Sequence, residues 1–385
     1  MKTIYFKGLN EIRALAALAV LLHHLELYKR RVGAQTLLHT PLKTFVDDLG
    51  RNGVAVFFVL SGFLITYLLL AEKERYARID LKKFYLRRIL RIWPLYYLIV
   101  LLSFAAIPFI AQYWEPMRHE TFYYDRIFTF GQTNIHALWL FLLFLPNLAL
   151  RFYGPVTGAS QSWSVGVEEQ FYLLWPQLLQ HISKKLLLPV FIFIAAVYPY
   201  CQLPAQLISA KLGKSVKFIT DLLPINYMAT GAIAGFLLYY HQDKMAFLLK
   251  KWYFFVWNTI LFIGFLFVPV NKLIFSTVVA LQILFILQEH FKINLRNRWL
   301  AKIGNISYGV YMYHPLVMFV VFSFINGFFA IEKNTWPYHF SVHIGIIGIT
   351  LLVSQLSYVF FEQRFIAFKN KKFTVIKSGS QNKAD

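Results

Sequence analysis

Two side chains in the first apolar segment have the types and the spacing for acid–base chemistry. The segment reads GLNEIRALAALAVLLHHLELY from residue 8, with Arg13 and His24 eleven residues apart. Eleven residues make three helical turns plus about 20°, so both side chains share one face roughly 16 Å apart, whereas His23 lies about 80° away. Histidine is the commonest general base, and an ionisable side chain inside a membrane span is a functional candidate by default. We interpret this stripe as functional; the alternative is a snorkelling arginine with an interfacial histidine.

A pair of arginines follows in the sequence FYLRRILRIWPLYY. Arg88 and Arg91 are three residues apart, so they are neighbours on one face of a helix. Each guanidinium presents a planar fork of donors that fits phosphate oxygens, so the pair could hold a phosphate group. The alternative is a cytoplasmic anchor beside the interfacial aromatic residues Trp93 and Tyr96, and residue chemistry alone favours this anchor.

An acidic pair lies in the segment 160–176, which reads SQSWSVGVEEQFYLLWP. Glu168 and Glu169 are adjacent and point in different directions on a helix, so we expect only one to face the protein interior. A carboxylate there, with Ser164 and Gln170 nearby, could orient or activate a histidine. The alternative is an interfacial acid in contact with water.

A further histidine, His314, lies near the middle of the apolar run ISYGVYMYHPLV. Tyr308 and Tyr311 give it polar neighbours, and Pro315 frees a backbone carbonyl one turn earlier. The alternative to a functional role is a buried histidine that hydrogen-bonds a neighbouring helix.

The chain that must position these side chains is strongly apolar. Of its 385 residues, 58% are hydrophobic and 15% are charged, against about 25% charged in soluble domains, and the mean hydropathy is +0.52. This composition excludes a disordered or ordinary soluble protein and predicts a polytopic protein embedded in a lipid bilayer. The net charge of +21 is spread between apolar runs, which indicates cytoplasmic loops and no nucleic acid partner. The single cysteine, Cys201, excludes a disulfide framework and cysteine-based metal sites, and we expect no metal.

We predict an all-α polytopic membrane protein with about ten transmembrane helices, since each span needs about 20 mostly apolar residues. An eleventh run, 137–150, is short and contains Pro146, so we expect it to lie in the interface or to re-enter. Ten spans with a cytoplasmic N-terminus place about twice as many basic residues inside as outside, and an eleventh span would reverse the balance, so both termini are expected in the cytoplasm. The expected spans are 8–27, 53–71, 92–113, 163–181, 186–202, 222–241, 252–269, 273–290, 305–327 and 340–363.

Two units are expected along the chain. Residues 1–368 form the transmembrane domain, and residues 369–385 form a basic cytoplasmic tail that we expect to be disordered. Glu11 and Arg13 interrupt the first apolar run, so we expect no cleavable signal peptide. We expect no soluble catalytic domain, so the catalytic residues should lie in the membrane helices and their loops.

Together these segments resemble the membrane acyltransferase-3 family, the bacterial O-acyltransferases of surface polysaccharides, over residues of about 8–365. The resemblance implies a ten-helix protein of the bacterial inner membrane. It also implies acetyl-CoA or another acyl-CoA as a cytoplasmic donor, and a glycan or lipid-linked saccharide as the acceptor outside. The matching pieces are Arg13-x10-His24, FFVLSGFLI at 57–65, RRILR at 87–91 followed by Pro94, WSVGVEEQFYLLWP at 163–176 and SYGVYMYH at 307–314.

The resemblance also implies site residues, position by position. The family's Arg-x10-His falls on Arg13 and His24, and its Arg-x-x-Arg, which is linked to acyl-CoA handling, falls on Arg88 and Arg91. Two positions depart from the family's patterns, because its Leu-Asp-Gly-Leu-Arg opening has Asn10 here and its Glu-Arg-Pro reads Glu362-Gln363-Arg364. The family's Ser-Gly-Phe and Trp-Ser…Glu motifs fall on Ser61, Gly62 and Phe63, and on Trp163, Ser164 and Glu168.

Residue chemistry and resemblance combine into one expected mechanism. Arg88 and Arg91, with Ser61 and Gly62, would bind acyl-CoA, and its pantetheine arm would pass Arg13 to reach His24. His24 would act as general base on the acceptor hydroxyl or take the acyl group itself, with Glu168 orienting its imidazole. A homo-oligomer and a separate acyl-accepting partner protein both stay open. The residues expected to support this site or contact substrate are Trp163, Ser164, Tyr308 and His314.

The rival interpretation is a transporter or flippase of lipid-linked sugar. Such a protein would also bury polar residues among many spans. The lack of an inverted repeat in the sequence and the presence of a phosphate-clamp motif argue against it.

Overall fold

The computed structural model describes residues 4, 6–119, 121–129, 135–288, 297–329 and 331–376. These residues are almost entirely helical, and no β-strand occurs among them. In a bilayer the backbone must satisfy its own hydrogen bonds, which is why apolar runs of this length fold as helices. In chain order the α-helices of these residues are α1 (Leu9–Arg31), α2 (Lys43–Tyr76), α3 (Leu81–Leu101), α4 (Ile107–Tyr113), α5 (Thr121–Thr129), α6 (Ile135–Leu142), α7 (Pro146–Tyr153), α8 (Ser162–His181), α9 (Lys184–Ile192), α10 (Gln202–Ile208), α11 (Ala210–Leu222), α12 (Asn226–Tyr240), α13 (Gln242–Leu248), α14 (Trp252–Gly264), α15 (Lys272–Ile286), α16 (Arg298–Asn305), α17 (Ser307–Phe328), α18 (Trp336–Ser357) and α19 (Gln363–Lys372).

Each of the ten predicted spans overlaps at least one of these helices, but their lengths support fewer crossings. Within the described ranges, four helical segments are long and apolar enough to cross a membrane, and the number rises to seven when each of three bent helix pairs is one span. The ten-span count therefore stays a prediction. The four segments are Lys43–Tyr76, Leu81–Tyr113, Ser307–Phe328 and Trp336–Lys372.

The short apolar run 137–150 does not form one continuous helix. Helices α6 and α7 are separated by a break at which Phe144 adopts a left-handed backbone conformation with φ of 57°. Tyr96 and Tyr97 of α3 hold this break, because their hydroxyls donate to the carbonyl oxygens of Phe141 and Leu142 at 2.7 and 2.9 Å. The run is thus broken into two short helices, and its interfacial or re-entrant position stays a prediction.

Helices α2 and α12 pack closely against each other. A Cβ atom on Gly62 would overlap the backbone carbonyl of Met228, and one on Gly231 would overlap that of Val59. Only glycine permits this approach of two backbones, as in other small-residue interfaces of membrane helices. The Gly231-to-Gly235 spacing is thus a packing motif.

Segments predicted to lie on the same side of the membrane come together at each end of the bundle. At one end Lys333 Nζ donates to the carbonyl oxygen of Val32 at 2.9 Å, and the Gln35 backbone N–H donates to Asn334 Oδ1 at 2.8 Å. At the other end Lys73 Nζ donates to the carbonyl oxygens at the C-terminus of α8, at 2.6 to 3.3 Å. A lysine there satisfies carbonyls that have no partner within the helix.

The chain stays helical beyond the expected end of the transmembrane domain. A π-helical turn, Tyr358–Glu362, joins α18 to α19, and α19 continues to Lys372 and packs on α3. The first four residues of the tail expected at 369–385 are therefore helical, and residues from 377 onward lie outside the described residues.

Candidate active site

Helix α1 brings Arg13 and His24 to two separate cavities. The first, which we call the arginine cavity, has a volume of about 110 Å³, and Arg13 lines it with residues of α2, α3, α8 and α17. The second, which we call the histidine cavity, has a volume of about 200 Å³, and His24 lines it with residues of α17 and of the turn before α8. No lining residue is shared between them. The polar stripe predicted on α1 thus faces the bundle interior at two depths.

Three arginines converge on the arginine cavity: Arg13 from α1, and Arg88 and Arg91 from α3. The Arg88 guanidinium lies 5.4 Å from the ring centre of Tyr172 and 5.6 Å from that of Phe84, and its Nε is buried with no hydrogen-bond partner. In the part of the chain that the structure describes, no carboxylate lies within ion-pair distance of these guanidiniums. Burying a charged donor without a partner is costly. The cavity therefore suits an anionic group.

Glu168 also lines the arginine cavity, and neutral donors hold it. Its Oε1 accepts a hydrogen bond from Ser61 Oγ at 2.8 Å, and its Oε2 accepts one from the Tyr172 hydroxyl at 3.1 Å. Glu169 points elsewhere and accepts from Trp93 Nε1 at 3.1 Å. The two carboxylates diverge as expected from adjacent helical positions, but both contact protein groups.

His24 is fixed by a hydrogen-bonded chain that determines its tautomer. Its Nδ1 lies 2.9 Å from the carbonyl oxygen of Val20 and 3.3 Å from Nε2 of His314. Because a carbonyl oxygen only accepts, Nδ1 of His24 carries the proton and Nε2 keeps the lone pair. His314 is fully buried, and its Nδ1 lies 3.2 Å from the carbonyl oxygen of Val310, so its Nε2 is an acceptor for His24. His24 Nε2 is therefore free to take a proton.

A layer of polar side chains separates the two cavities. Tyr311 lines the arginine cavity, and its hydroxyl donates at 3.0 Å to the carbonyl oxygen of Gln161, which lines the histidine cavity. Ser164 Oγ lies 2.7 Å from the same hydroxyl. The ring of Tyr311 also neighbours that of His314, with centroids 5.9 Å apart. A ligand that extends from Arg13 to His24 would have to move these side chains or pass beside them.

His23 contacts a different helix from His24. Its imidazole packs against Gly50 of α2, and its Nδ1 lies 2.8 Å from the carbonyl oxygen of Val46. The two adjacent histidines therefore face different surroundings, as the helical phase of the sequence predicts.

The predicted site residues divide between these places. Ser61, Ser164, Tyr308 and Glu168 line the arginine cavity, whereas Trp163 lines the histidine cavity and a neighbouring cavity of about 400 Å³.

Two expectations need correction. Glu168 does not contact His24, because both of its oxygens are engaged by Ser61 and Tyr172 in the other cavity. Gly62 does not line the arginine cavity, because it lies against the Met228 backbone of α12.

Sequence reasoning missed several residues of the site. Tyr172 lies four residues after Glu168 on the same helical face, a spacing that could have identified it. No local pattern indicates the contact between His24 and His314, which are 290 positions apart. No local pattern indicates the contact of the Gln161 carbonyl oxygen with Tyr311 either.

Among the described residues, no group of three or more acidic, histidine or cysteine side chains could hold a metal ion.

Comparison with known sequences identifies the family. The sequence model of a family described as an acyltransferase domain matches residues 6–357, nearly the whole chain. The chain belongs to the acyltransferase-3 family. No solved structure matches it.

Relatives of this acyltransferase-3 chain carry names of O-acetyltransferases. Peptidoglycan O-acetyltransferase OatA of Listeria monocytogenes is 30% identical over 193 residues, which cover 49% of this chain and 27% of the relative. Putative peptidoglycan O-acetyltransferase YrhL of Bacillus subtilis is 31% identical over 176 residues, covering 46% and 24%. O-acetyltransferase OatA of Staphylococcus aureus is 32% identical over 177 residues, covering 45% and 24%. The matched segments thus span about a quarter of each relative's length.

The two positions at which this acyltransferase-3 chain departs from the family's motifs join helices. Asn10 Nδ2 donates to Asn305 Oδ1 at 3.0 Å, which ties the start of α1 to the end of α16. Glu362 Oε1 accepts from Ser357 Oγ at 3.2 Å, and Ser357 Oγ accepts from the Tyr313 hydroxyl at 3.0 Å, which ties α18 to α17. Both side chains lie at helix junctions.

Proposed function

We propose that this protein is an integral membrane O-acyltransferase. It moves an acyl group, with acetyl as the expected group, from cytoplasmic acyl-CoA to a hydroxyl of a cell-envelope glycan or lipid-linked saccharide. One observation carries the proposal: a single helix, α1, presents Arg13 to a cavity rich in arginines and His24 to a second cavity with no shared lining. The names of the relatives favour acetyl as the acyl group and a glycan of the bacterial envelope as the acceptor.

The donor would bind through its phosphates at the arginine cavity. Arg88 has a buried donor with no partner, and Arg91 lies one turn along the same helix. Phosphate oxygens fit the planar fork of a guanidinium and form charge-assisted hydrogen bonds with it. Arg13 would then contact the part of the donor that extends toward His24.

The transfer step would take place at His24 Nε2. In direct transfer, Nε2 removes the proton of the acceptor hydroxyl while its oxygen attacks the thioester carbonyl; the carbon–sulfur bond breaks and CoA leaves as the thiolate. In the two-step alternative, Nε2 attacks the carbonyl first, the carbon–sulfur bond breaks and CoA leaves as the thiolate; the acceptor oxygen then attacks the acyl-imidazole, the carbon–nitrogen bond breaks, and the released Nε2 takes the hydroxyl proton. Both routes need an unprotonated Nε2, and the contacts of Nδ1 with Val20 and His314 support the tautomer of the neutral imidazole in which Nδ1 carries the proton.

Glu168 would act on the donor side of the site. It shares the arginine cavity with Arg13 and Arg88, so its charge balances part of the arginine charge when no donor is bound. Its hydrogen bonds with Ser61 and Tyr172 would fix the wall of the cavity that adjoins Arg88.

A transporter or flippase of lipid-linked sugar does not cleave a thioester, so turnover of the acetyl-CoA thioester distinguishes the two functions. Purified protein in lipid nanodiscs would be given radiolabelled acetyl-CoA and an envelope glycan fraction, and both released CoA and acetylated product would be measured. We expect binding of acetyl-CoA and acceptor-dependent release of CoA. Transport of lipid-linked sugar without CoA release would contradict the proposal. Mass spectrometry of surface glycans from a deletion strain would then identify the acceptor.

A further inference from the structure

Helix α19 lies beyond the residues that the family model matches, yet it packs on α3. Arg87 of α3 joins the two helices: its Nη1 donates to the carbonyl oxygen of Phe373, directly after α19, at 3.1 Å, and its Nη2 forms an ion pair with Glu72 at 3.1 Å. The Phe373 N–H donates to the carbonyl oxygen of Lys369 at 2.9 Å, so Lys369 lies one helical turn before the docked residue and on the same side of α19. Lys369 is half-buried on that face, whereas Lys371 and Lys372 are exposed.

Lys369 extends the group of cations at the arginine cavity. It lies one turn before Phe373, whose carbonyl oxygen binds Arg87 of α3, and Arg88 and Arg91 follow Arg87 on that helix; Lys369 does not line the cavity itself. Among these four cations, only Arg87 has a carboxylate within ion-pair distance in the part of the chain that the structure covers.

Besides Glu72, three further carboxylates lie near this group on other elements, and each accepts hydrogen bonds from neutral donors. Glu168 accepts from Ser61 and Tyr172, Glu169 accepts from Trp93, and Glu362 accepts from Ser357. Among the described residues, Arg88, Arg91 and Lys369 thus have no carboxylate within ion-pair distance, and Arg88 and Arg91 line the arginine cavity. An extended ligand with several phosphates would contact them together.

We propose that Lys369 is a further binding residue for the phosphate groups of the acyl-CoA donor, placed by α19 at the entrance to the arginine cavity. The proposal rests on the function proposed above and extends its donor site by one helix. A phosphate of a lipid headgroup has the same chemistry, but the Nε of Arg88 is buried and a lipid would reach the exposed Lys371 and Lys372 first. A CoA chain, by contrast, can extend from Lys369 past Arg91 to Arg88.

The test is the affinity of the full chain for CoA in nanodiscs of neutral phosphatidylcholine, measured by calorimetry. Lys369→Met keeps an unbranched aliphatic side chain at the position and removes the charge. We expect it to weaken CoA binding about 10-fold, the size expected for a lost charge-assisted contact. Lys369→Arg should stay within about 3-fold of the wild type, and the matched control Lys371→Met should change nothing. Lys369→Gln removes the charge but keeps a polar side chain, so we expect it to weaken CoA binding as much as Lys369→Met does. Equal thermal stability of all variants would show that the loss of affinity comes from the charge and not from misfolding.

The outcomes separate this proposal from the one on which it rests. Equal CoA affinity in Lys369→Met and Lys371→Met, with Arg88→Ala still weakening binding, would overturn the role of Lys369 alone. Failure of the wild type to bind acetyl-CoA would overturn the proposed function itself. A parallel series in phosphatidylglycerol nanodiscs tests the lipid source: if Lys369→Met changes only lipid association and leaves CoA affinity unchanged, the ligand is a headgroup. A smaller effect with 3′-dephospho-CoA would support the proposal and assign Lys369 to the 3′-phosphate.

Discussion

At the scale of single residues, hydrogen bonds decide what His24 can do. Its Nδ1 donates to Val20 and contacts His314 Nε2, which leaves the basic nitrogen on the other side of the ring. A histidine held in one tautomer needs no rearrangement before it accepts a proton. Sequence spacing could suggest His24 but not its tautomer, because the second acceptor comes from a distant helix.

His314 is expected to position His24. Replacing His314 with Leu removes one of the two acceptors for His24 Nδ1 and leaves the Val20 carbonyl oxygen. We predict a loss of about 10-fold in kcat, the size of one neutral hydrogen bond, with the KM for acyl-CoA unchanged. His314→Gln restores an acceptor and should recover part of kcat. An unchanged kcat in His314→Leu, measured at equal membrane abundance, would remove His314 from the site.

Arg88 and Arg91 are expected to determine donor affinity. Replacing either with Ala should raise the KM for acyl-CoA about 10-fold, because a charge-assisted contact contributes roughly 1.5–3 kcal/mol. Lys should restore part of the affinity, as a point charge without the planar fork. Arg75→Ala, an exposed arginine near the end of α2, serves as the control. If donor binding in the double variant equals that of the control, the pair is only a topological anchor.

At the scale of helices, the contact between α2 and α12 holds the wall that carries Ser61. Gly62→Ala would push a Cβ into the backbone of Met228, so we expect a destabilisation of about 1–3 kcal/mol. Gly264→Ala on α14 is the matched control, because nothing lies within 4 Å of its Cβ position. Thermal inactivation in detergent measures the difference. A Gly62→Ala protein that keeps its stability but loses donor affinity would instead support the family-based expectation that Gly62 handles acyl-CoA.

Helices were largely predictable, and their contacts were not. Apolar runs located α2, α3, α17 and α18 because each is long enough to be read from composition alone. The pairing of Glu168 with Ser61 and Tyr172 depends on how α8 rotates against α2, which no local pattern encodes. The break at Phe144 depends on two tyrosine hydroxyls of another helix.

At the scale of the whole molecule, the charge balance predicts which loops face the cytoplasm. Single cysteines at Asp243 and Glu332, both exposed, would be introduced into a Cys201→Ser background and labelled in intact cells with a membrane-impermeant maleimide. With ten spans, position 243 is cytoplasmic and stays unlabelled, whereas position 332 is labelled. If residues 137–150 also crossed the membrane, both results would reverse.

The central claim is that His24 performs the transfer, and its neighbour offers the most direct test. His24 and His23 match in type and depth, but His24 lines a cavity and His23 packs on Gly50 of α2. Acylated product formed by His24→Ala and His23→Ala would be measured at equal membrane abundance. The account predicts that His24→Ala lowers turnover about 10²-fold or more, the typical contribution of a positioned general base, while His23→Ala keeps most activity. An inactive His23→Ala beside an active His24→Ala would contradict it.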